Sequence, residues 1–175
     1  AFLCHNLGAY TNIDPHDMSQ ADAWKLNGAY IQWSRRGPNT TGDSRVDWIT
    51  APNDGPGGFA AAPTVSTAGT ANSGAISDWN YAIAPTNSWR AADGTKMAND
   101  PCPAGWRIPT TQEWAGVIAN NNVYTSGSWT NSFTDYNSGI HFGPNAYTKT
   151  LTLPAAGYRS GLFATLSHRA MNGLY

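Results

Sequence analysis

The chain has 175 residues, which suits one domain, and its formal net charge is −1. A charge so close to zero gives no electrostatic footprint for nucleic acid. No run of about 18 apolar residues occurs, so the sequence contains no candidate transmembrane helix. Charged residues make up only 12% of the chain while Asn, Thr, Ser and Gly are frequent, which favours strands and loops over exposed helices.

The first predicted elements in the chain are short. Residues 1–10 are typical of a strand and turn, and residues 17–26 have the spacing of a short helix with one packed side. Alternating β-formers over Tyr30–Arg35 predict a strand. Residues 37–99 carry Gly-Pro and Asn-Asp-Gly turn signals without periodicity, so we interpret them as a long loop insertion within a single domain of residues 1–175.

The best helix signal covers residues 111–121. Thr110 and Glu113 have the spacing of a capping box, in which each side chain accepts a backbone N–H of the other residue. An apolar stripe that begins at Trp114 continues at i+3 and i+4, as one face of a helix requires. We therefore assign Thr110 and Glu113 to the helix cap. This structural role is sufficient to explain Glu113, the only glutamate in the sequence, so we assign it no general-acid function.

Two further elements are predicted towards the C-terminal end of the sequence. Residues 151–158 are typical of a buried strand, in which Pro154 indicates an edge position or a bulge. Residues 167–169 and the Asn-Gly pair at 172–173 predict a last hairpin. A second long loop, over residues 125–147, would present aromatic and polar side chains beside those of the insertion.

Cys4 and Cys102 are the only cysteines, and two thiolates cannot complete a structural zinc site. A disulfide and two free thiols both remain open. A bridge across so long a loop would stabilise the fold by roughly 4–5 kcal/mol in the chain-entropy model and would require an oxidising compartment. Because Pro101 and Pro103 stiffen the loop around Cys102, we expect the disulfide.

Four sequence blocks, taken together and in order, resemble a known family. They are Cys4–Ala9 (CHNLGA), Tyr30–Arg35 (YIQWSR), Asp100–Trp114 (which begins DPCPAGWRIPT) and Leu153–Arg159 (LPAAGYR). They resemble the Fibrobacter succinogenes major paralogous domain, which is similar to the C-type-lectin-like fold of the formylglycine-generating-enzyme branch and to the variable proteins of diversity-generating retroelements. The resemblance implies an α+β fold with two helices, a twisted antiparallel sheet and long loops, closed by pairing of the two termini.

The resemblance also implies a location outside the cell, secreted or at a bacterial cell surface and often within a large adhesin. Family members usually continue into a Tyr-Trp-Ser-Ser strand that is not found before Tyr175, so we expect a module of a longer chain. Without that strand the sheet would have an open edge, and an open edge favours self-association. The related enzymes use cysteines from the C-terminal part of the domain, and none follows Cys102, so we expect no catalysis.

The aromatic residues divide into a predicted core and a predicted binding set. Trp33, Trp106 and Trp114 lie in the family blocks and are expected in the core. The tryptophans of the turn-rich stretches would stack on sugar faces or anchor a protein partner, or else pin long loops to the body. The candidate ligand-binding residues are Trp48, Trp79, Trp89 and Trp129, with Arg45 and Arg90 as hydrogen-bond donors beside them.

Calcium is the one cofactor with any support in the sequence. Oxygen-rich turns such as Asp43, Ser44 and Asp47 could contribute ligands, but they lack the EF-hand pattern, so we expect solvated turns and no cofactor. The expected function is a non-catalytic adhesion module that binds a glycan or a cell-surface protein through loop aromatics. The alternative is a structural subunit of a surface fibre that assembles through an open sheet edge.

Overall fold

The computed structural model describes residues 1–30, 46–47, 89–98, 100–132, 135–159, 166–173 and 175. This part of the chain is a mixed α and β structure with one α-helix, one short 3-10 helix and seven strands. The helix is α1 (Thr111–Ala119), the 3-10 helix is Ala23–Leu26, and the strands are β1 (Ala29–Tyr30), β2 (Val46–Asp47), β3 (Asn122–Ser126), β4 (Gly139–Gly143), β5 (Leu151–Pro154), β6 (Tyr158–Arg159) and β7 (Leu166–Ser167).

A three-stranded antiparallel sheet of order β3-β4-β5 is the main scaffold of the described residues. In its register Tyr124 lies opposite His141, and His141 lies opposite Thr152. Because residues directly opposite each other share a face, these three side chains lie on one polar face. Phe142 and Leu151 pair on the other face, where both are buried. Two smaller pairs, β1-β2 and β6-β7, complete the strand pairing.

Helix α1 begins as the sequence predicts. The Thr110 hydroxyl accepts the Glu113 N–H at 3.1 Å, and the Glu113 carboxylate accepts the Thr110 N–H at 2.7 Å, which confirms the capping box. The helix ends two residues earlier than predicted, at Ala119. Asn120 and Asn121 donate their side-chain amides to the carbonyls of residues 116 and 117, and these bonds satisfy the last turn.

The prediction of a helix over residues 17–26 is wrong for most of its length, because only Ala23–Leu26 is helical and as a 3-10 turn. The carboxylates of Asp14 and Asp17 accept the backbone N–H groups two residues ahead, at 2.8 and 2.9 Å. Such bonds give the backbone an alternative to helical pairing. Residues 1–10 form turns and contain no strand, so the strand predicted there is also wrong.

The predicted strand over residues 151–158 is divided into β5 and β6 by the segment 155–157. Gly157 has a positive φ of 80°, and a Cβ there would lie 2.4 Å from the Ser167 carbonyl oxygen, so the chain turns at a position that only glycine fits. Among the described residues β5 pairs only with β4, as an edge position at Pro154 requires. Instead of the predicted last hairpin, Gly173 forms a parallel bridge to Gly157.

The two ends of the sequence meet through side chains. The Tyr175 hydroxyl donates to the carbonyl of Pro154, and the Asn6 amide donates to the Tyr175 oxygen at 3.2 Å. Burial of the Tyr175 hydroxyl raises its pKa above the usual value, so the group stays a neutral donor. This contact differs from the strand pairing of the termini that the family resemblance implies, which is not present in the described residues.

The most specific sequence block, Asp100–Trp114, begins with a network around one ammonium group. Lys96 Nζ donates to Asp100 Oδ1 at 3.1 Å, to the Cys102 carbonyl at 2.6 Å and to the Trp106 carbonyl at 2.8 Å. The buried Asp100 carboxylate also accepts the N–H groups of Cys102, at 2.8 Å, and Ile108, at 2.9 Å. These bonds, which we call the Lys96 cluster, fix the loop that precedes α1.

An ion pair connects the Lys96 cluster to the helix. Arg107 donates to both carboxylate oxygens of Glu113, at 2.8 and 2.7 Å. The Arg107 bonds and the Thr110 N–H lower the pKa of Glu113 to about 2, so its carboxylate is ionised at any ordinary pH. The single glutamate is therefore engaged in the cap and the ion pair, and it holds no proton to donate.

The tryptophans that were predicted to lie in the core differ in their burial. Trp106 is 37% exposed, so its assignment to the core is wrong, and it contributes its backbone carbonyl to the Lys96 cluster instead. Trp114 is half-buried and contacts Phe2, with ring centroids 5.0 Å apart. Trp33 lies outside the described residues.

Both cysteines are free in this structure, Cys4 exposed and Cys102 half-buried. The disulfide between them therefore stays a prediction. Burial, together with the neighbouring Asp100 carboxylate, raises the pKa of the Cys102 thiol to about 12. Because the thiolate is the nucleophile and the metal ligand, Cys102 is chemically inert at neutral pH as long as it is reduced.

Candidate functional site

Only half of the predicted ligand-binding residues fall within the described part of the chain. Trp48, Trp79 and Arg45 lie outside it, as do Asp43 and Ser44 of the possible calcium turns. Trp89, Arg90 and Trp129 are described and can be placed.

Trp89 and Arg90 hold a loop in place. Trp89 is only 9% exposed, and its carbonyl accepts the Met97 N–H at 3.0 Å. Arg90 forms a backbone bridge with Lys96 and donates from its guanidinium to the Pro109 carbonyl at 3.0 Å. These contacts correspond to the alternative reading of the loop aromatics, in which they pin loops to the body.

Trp129 is half-buried in a strained turn that follows β3. Its φ of 53° lies in the left-handed region, and its N–H donates to the Ser138 hydroxyl at 3.2 Å. The indole Nε1 is buried and has no hydrogen-bond partner among the described residues. Part of the ring remains accessible, so Trp129 stays a candidate for ligand contact.

The most exposed aromatic of the described residues was not singled out from the sequence. Tyr147 is 97% exposed at the tip of the β4-β5 hairpin. The Asn145 side-chain oxygen accepts the N–H groups of Tyr147 and Thr148, both at 2.9 Å, which fixes the turn. At the base of the tip a Cβ on Gly143 would lie 1.9 Å from the Thr148 carbonyl oxygen, so the two arms meet at a glycine. The hairpin therefore displays Tyr147 on a defined backbone.

A sequence signal for this tip does exist. Asn at the first position of a turn between two β-rich segments is typical of an Asx turn, and Tyr147 lies inside the loop of residues 125–147 that was expected to present aromatics. The prediction gave priority to tryptophan over tyrosine, and for this reason it passed over the residue.

A second group of interest is a chain of hydrogen bonds on the polar face of the sheet. Ser126 Oγ lies 2.8 Å from His141 Nε2, and His141 Nδ1 lies 2.9 Å from Thr152 Oγ1. Thr152 Oγ1 lies 3.0 Å from Nδ1 of His16, which reaches the sheet from the N-terminal segment. His141 is 1% exposed, and His16 is half-buried.

The direction of each bond in this chain follows from proton counting. Ser126 has one hydroxyl proton and donates it to the Asn137 carbonyl at 3.0 Å, so its oxygen accepts from His141 Nε2–H. Neutral His141 must then accept at Nδ1, and the Thr152 hydroxyl is its donor. Thr152 in turn accepts from His16 Nδ1–H. Nε2 of His16, which has no hydrogen-bond partner among the described residues, is left with its lone pair.

These directions argue against a nucleophile at Ser126. A general base must present a lone pair to the hydroxyl that it activates, whereas His141 presents a proton to Ser126. Burial, with Lys149 and His16 nearby, also lowers the pKa of His141 to about 4, which makes it a weak base. The Ser-His pair therefore stabilises the sheet face without the arrangement that acyl transfer requires.

The described residues contain neither a metal-binding group nor a membrane-spanning helix. Within them, no three His, Cys, Asp or Glu side chains are grouped so as to hold a metal ion. No helix in this part is long and apolar enough to cross a membrane. No family model, curated protein or solved structure matches the chain.

Proposed function

We propose that this chain is an extracellular, non-catalytic recognition module of C-type-lectin-like fold, carried at a bacterial cell surface, that binds a glycan or a protein ligand. The four sequence blocks and their order support the family and the location. The observation that carries the binding function is the display of Tyr147 at the tip of the β4-β5 hairpin.

Three physical features of the tip favour ligand contact. A tyrosine loses little conformational entropy on binding and offers both a ring face and a hydroxyl, so it is frequent at binding sites. The Asn145 bonds hold the tip in one conformation before the ligand arrives, which reduces the entropic cost of association. The tip residues 144–148 carry no charge, which suits a neutral partner such as a sugar face.

The test is the substitution Tyr147→Ala, with binding measured on a glycan array and on intact cells. We expect a loss of affinity of about tenfold or more, as for a binding hot spot, with an unchanged melting temperature because the side chain has no buried contacts to lose. The substitution Tyr147→Phe removes only the hydroxyl, so it separates the contribution of the hydroxyl to affinity from that of the ring.

Met171→Ala is the matched control, since Met171 is an exposed apolar residue outside the hairpin. It should leave binding unchanged. Binding by Tyr147→Ala that equals the wild-type level would remove the hairpin tip from the proposal.

A second candidate function, a structural subunit of a surface fibre, is favoured by strand β3. Its sequence, Asn-Val-Tyr-Thr-Ser, holds no charge and no proline, and among the described residues it pairs on one side only. Natural proteins usually protect such an edge with charges, prolines or bulges. The opposite edge, β5, has such protection, because Pro154 lacks an N–H and its carbonyl is occupied by Tyr175.

A further inference from the structure

The N-terminal segment 14–18 covers the polar face of the sheet. His16 contacts Thr152 through its ring, and its carbonyl accepts from Lys149 Nζ at 2.9 Å. Met18 is 2% exposed, and a Cβ on Gly139 would lie 3.2 Å from its Cγ atom, so the segment lies directly on β4. A side-chain hydrogen bond from a histidine is thus one of the few polar contacts that hold this segment to the sheet.

The two histidines in the chain of hydrogen bonds, His16 and His141, respond differently to a proton. His16 accepts a proton at its vacant Nε2 and continues to donate from Nδ1 to Thr152, so its contact survives. His141 has no vacant nitrogen, because Nε2–H faces Ser126 and Nδ1 accepts from Thr152. A proton on His141 Nδ1 removes the acceptor of the Thr152 hydroxyl, so Thr152 must accept from both histidines and its own proton has no acceptor among the described residues.

The charges around the histidines add to this difference. His16 faces Asp14, which favours its protonated form, and also Lys149 and His5, which oppose it. His141 faces Lys149 and His16, and neither offers a negative charge.

Tyr124 lies opposite His141 on β3, so this strand places no carboxylate opposite the histidine. A proton on His141 therefore brings its positive charge into a buried site beside Lys149 and an already protonated His16.

We propose that His141 is an acid-sensitive switch, and that its protonation releases segment 14–18 from the polar face of the sheet. The first proton enters at His16 and leaves these bonds intact, and the second enters at His141, where it removes the acceptor of the Thr152 hydroxyl and adds a buried positive charge. The switch does not depend on the proposed binding function, because the hydrogen bonds that carry it lie on the sheet face.

The hydrogen-bond directions can be read directly by imidazole nitrogen NMR on the wild-type protein. At neutral pH we expect His141 as the Nε2–H tautomer and His16 as the Nδ1–H tautomer. The opposite tautomer at either residue would overturn the switch, whatever the behaviour of any variant.

Opening of the segment can be followed by amide hydrogen exchange of residues 16–18, corrected for intrinsic rates. If release returns His141 to an ordinary pKa, the opening constant rises on the order of a hundredfold between pH 7 and pH 4. His141→Gln, which keeps a donor and an acceptor but cannot be protonated, should abolish this rise.

His5→Gln is the control, because the His5 ring donates to the Ile13 carbonyl and stands outside the chain of bonds. It should leave the rise in exchange unchanged. Acid-induced exchange that persists in His141→Gln, or that disappears in His5→Gln, would contradict the proposal.

Discussion

At the scale of single residues, Asp100 is the acceptor on which the loop before α1 depends. Its carboxylate is buried and accepts three hydrogen bonds, from the ammonium of Lys96 and the backbone N–H groups of Cys102 and Ile108. When such an acceptor is removed, each buried donor that is left without a partner lowers the stability of the fold by its full desolvation penalty. The loop is therefore more sensitive to this side chain than to the exposed residues around it.

We expect Asp100→Asn to lower the free energy of unfolding by about 2–3 kcal/mol, because one amide N–H₂ must then face a donor and Lys96 loses its counter-charge. Urea unfolding measures the change. Asp93→Asn is the control, since Asp93 is exposed and accepts the Thr95 N–H at 2.9 Å, a bond that an Asn oxygen can keep. Equal midpoints for both variants would contradict the role of Asp100.

At the scale of secondary-structure elements, the success of a prediction from the sequence depends on how far apart in the sequence the interacting residues lie. The α1 cap was predicted because Thr110 and Glu113 are three residues apart and bond to each other. The helix predicted over residues 17–26 failed because the apolar spacing was counted, while the competing bonds from Asp14 and Asp17 were not. The break at Gly157 depends on the Ser167 carbonyl, a contact that no local pattern contains.

Strand β3 carries the prediction that belongs to this scale. If its free edge mediates assembly, the protein should associate at micromolar concentration in analytical ultracentrifugation, and Thr125→Lys should return it to a monomer, because a charge on an edge strand opposes pairing. Thr148→Lys, at an exposed position on the β4-β5 hairpin, is the control for added charge. A wild-type protein that stays monomeric at high concentration would count against the structural candidate.

At the scale of the whole molecule, the sequence predicted the type of residue that forms the candidate site but not where that residue lies. Aromatic residues in loops were expected to form it, yet among the described residues Trp89 is buried and Tyr147 is the most exposed aromatic. Burial of a loop residue depends on distant segments, as does the complete burial of Arg169 against the Tyr136 ring, at 5.0 Å. The chain of bonds from His16 to Ser126 joins four segments, the N-terminal segment and the strands β5, β4 and β3, and spacing along the sequence gives no sign of it.

The predicted disulfide is also a property of the whole molecule, since it would join the first turn to the Lys96 cluster. Alkylation of the native protein is a poor test, because Cys102 has a pKa of about 12 and reacts slowly even when reduced. We expect protein from an oxidising compartment, unfolded in urea without reductant, to incorporate no iodoacetamide by mass spectrometry. Two labels under these conditions would contradict the bridge, and a reduced sample is the control.

The Lys96 cluster gives the protein an internal chemical probe. An amine attacks an acylating reagent through its lone pair, and Lys96 Nζ, which donates to three oxygens, must leave these bonds before it can react. Lys25 and Lys149 each donate a single side-chain hydrogen bond, so they should be acetylated first. The rate at which residue 96 acquires an acetyl group therefore reports how often this loop opens, without any introduced label.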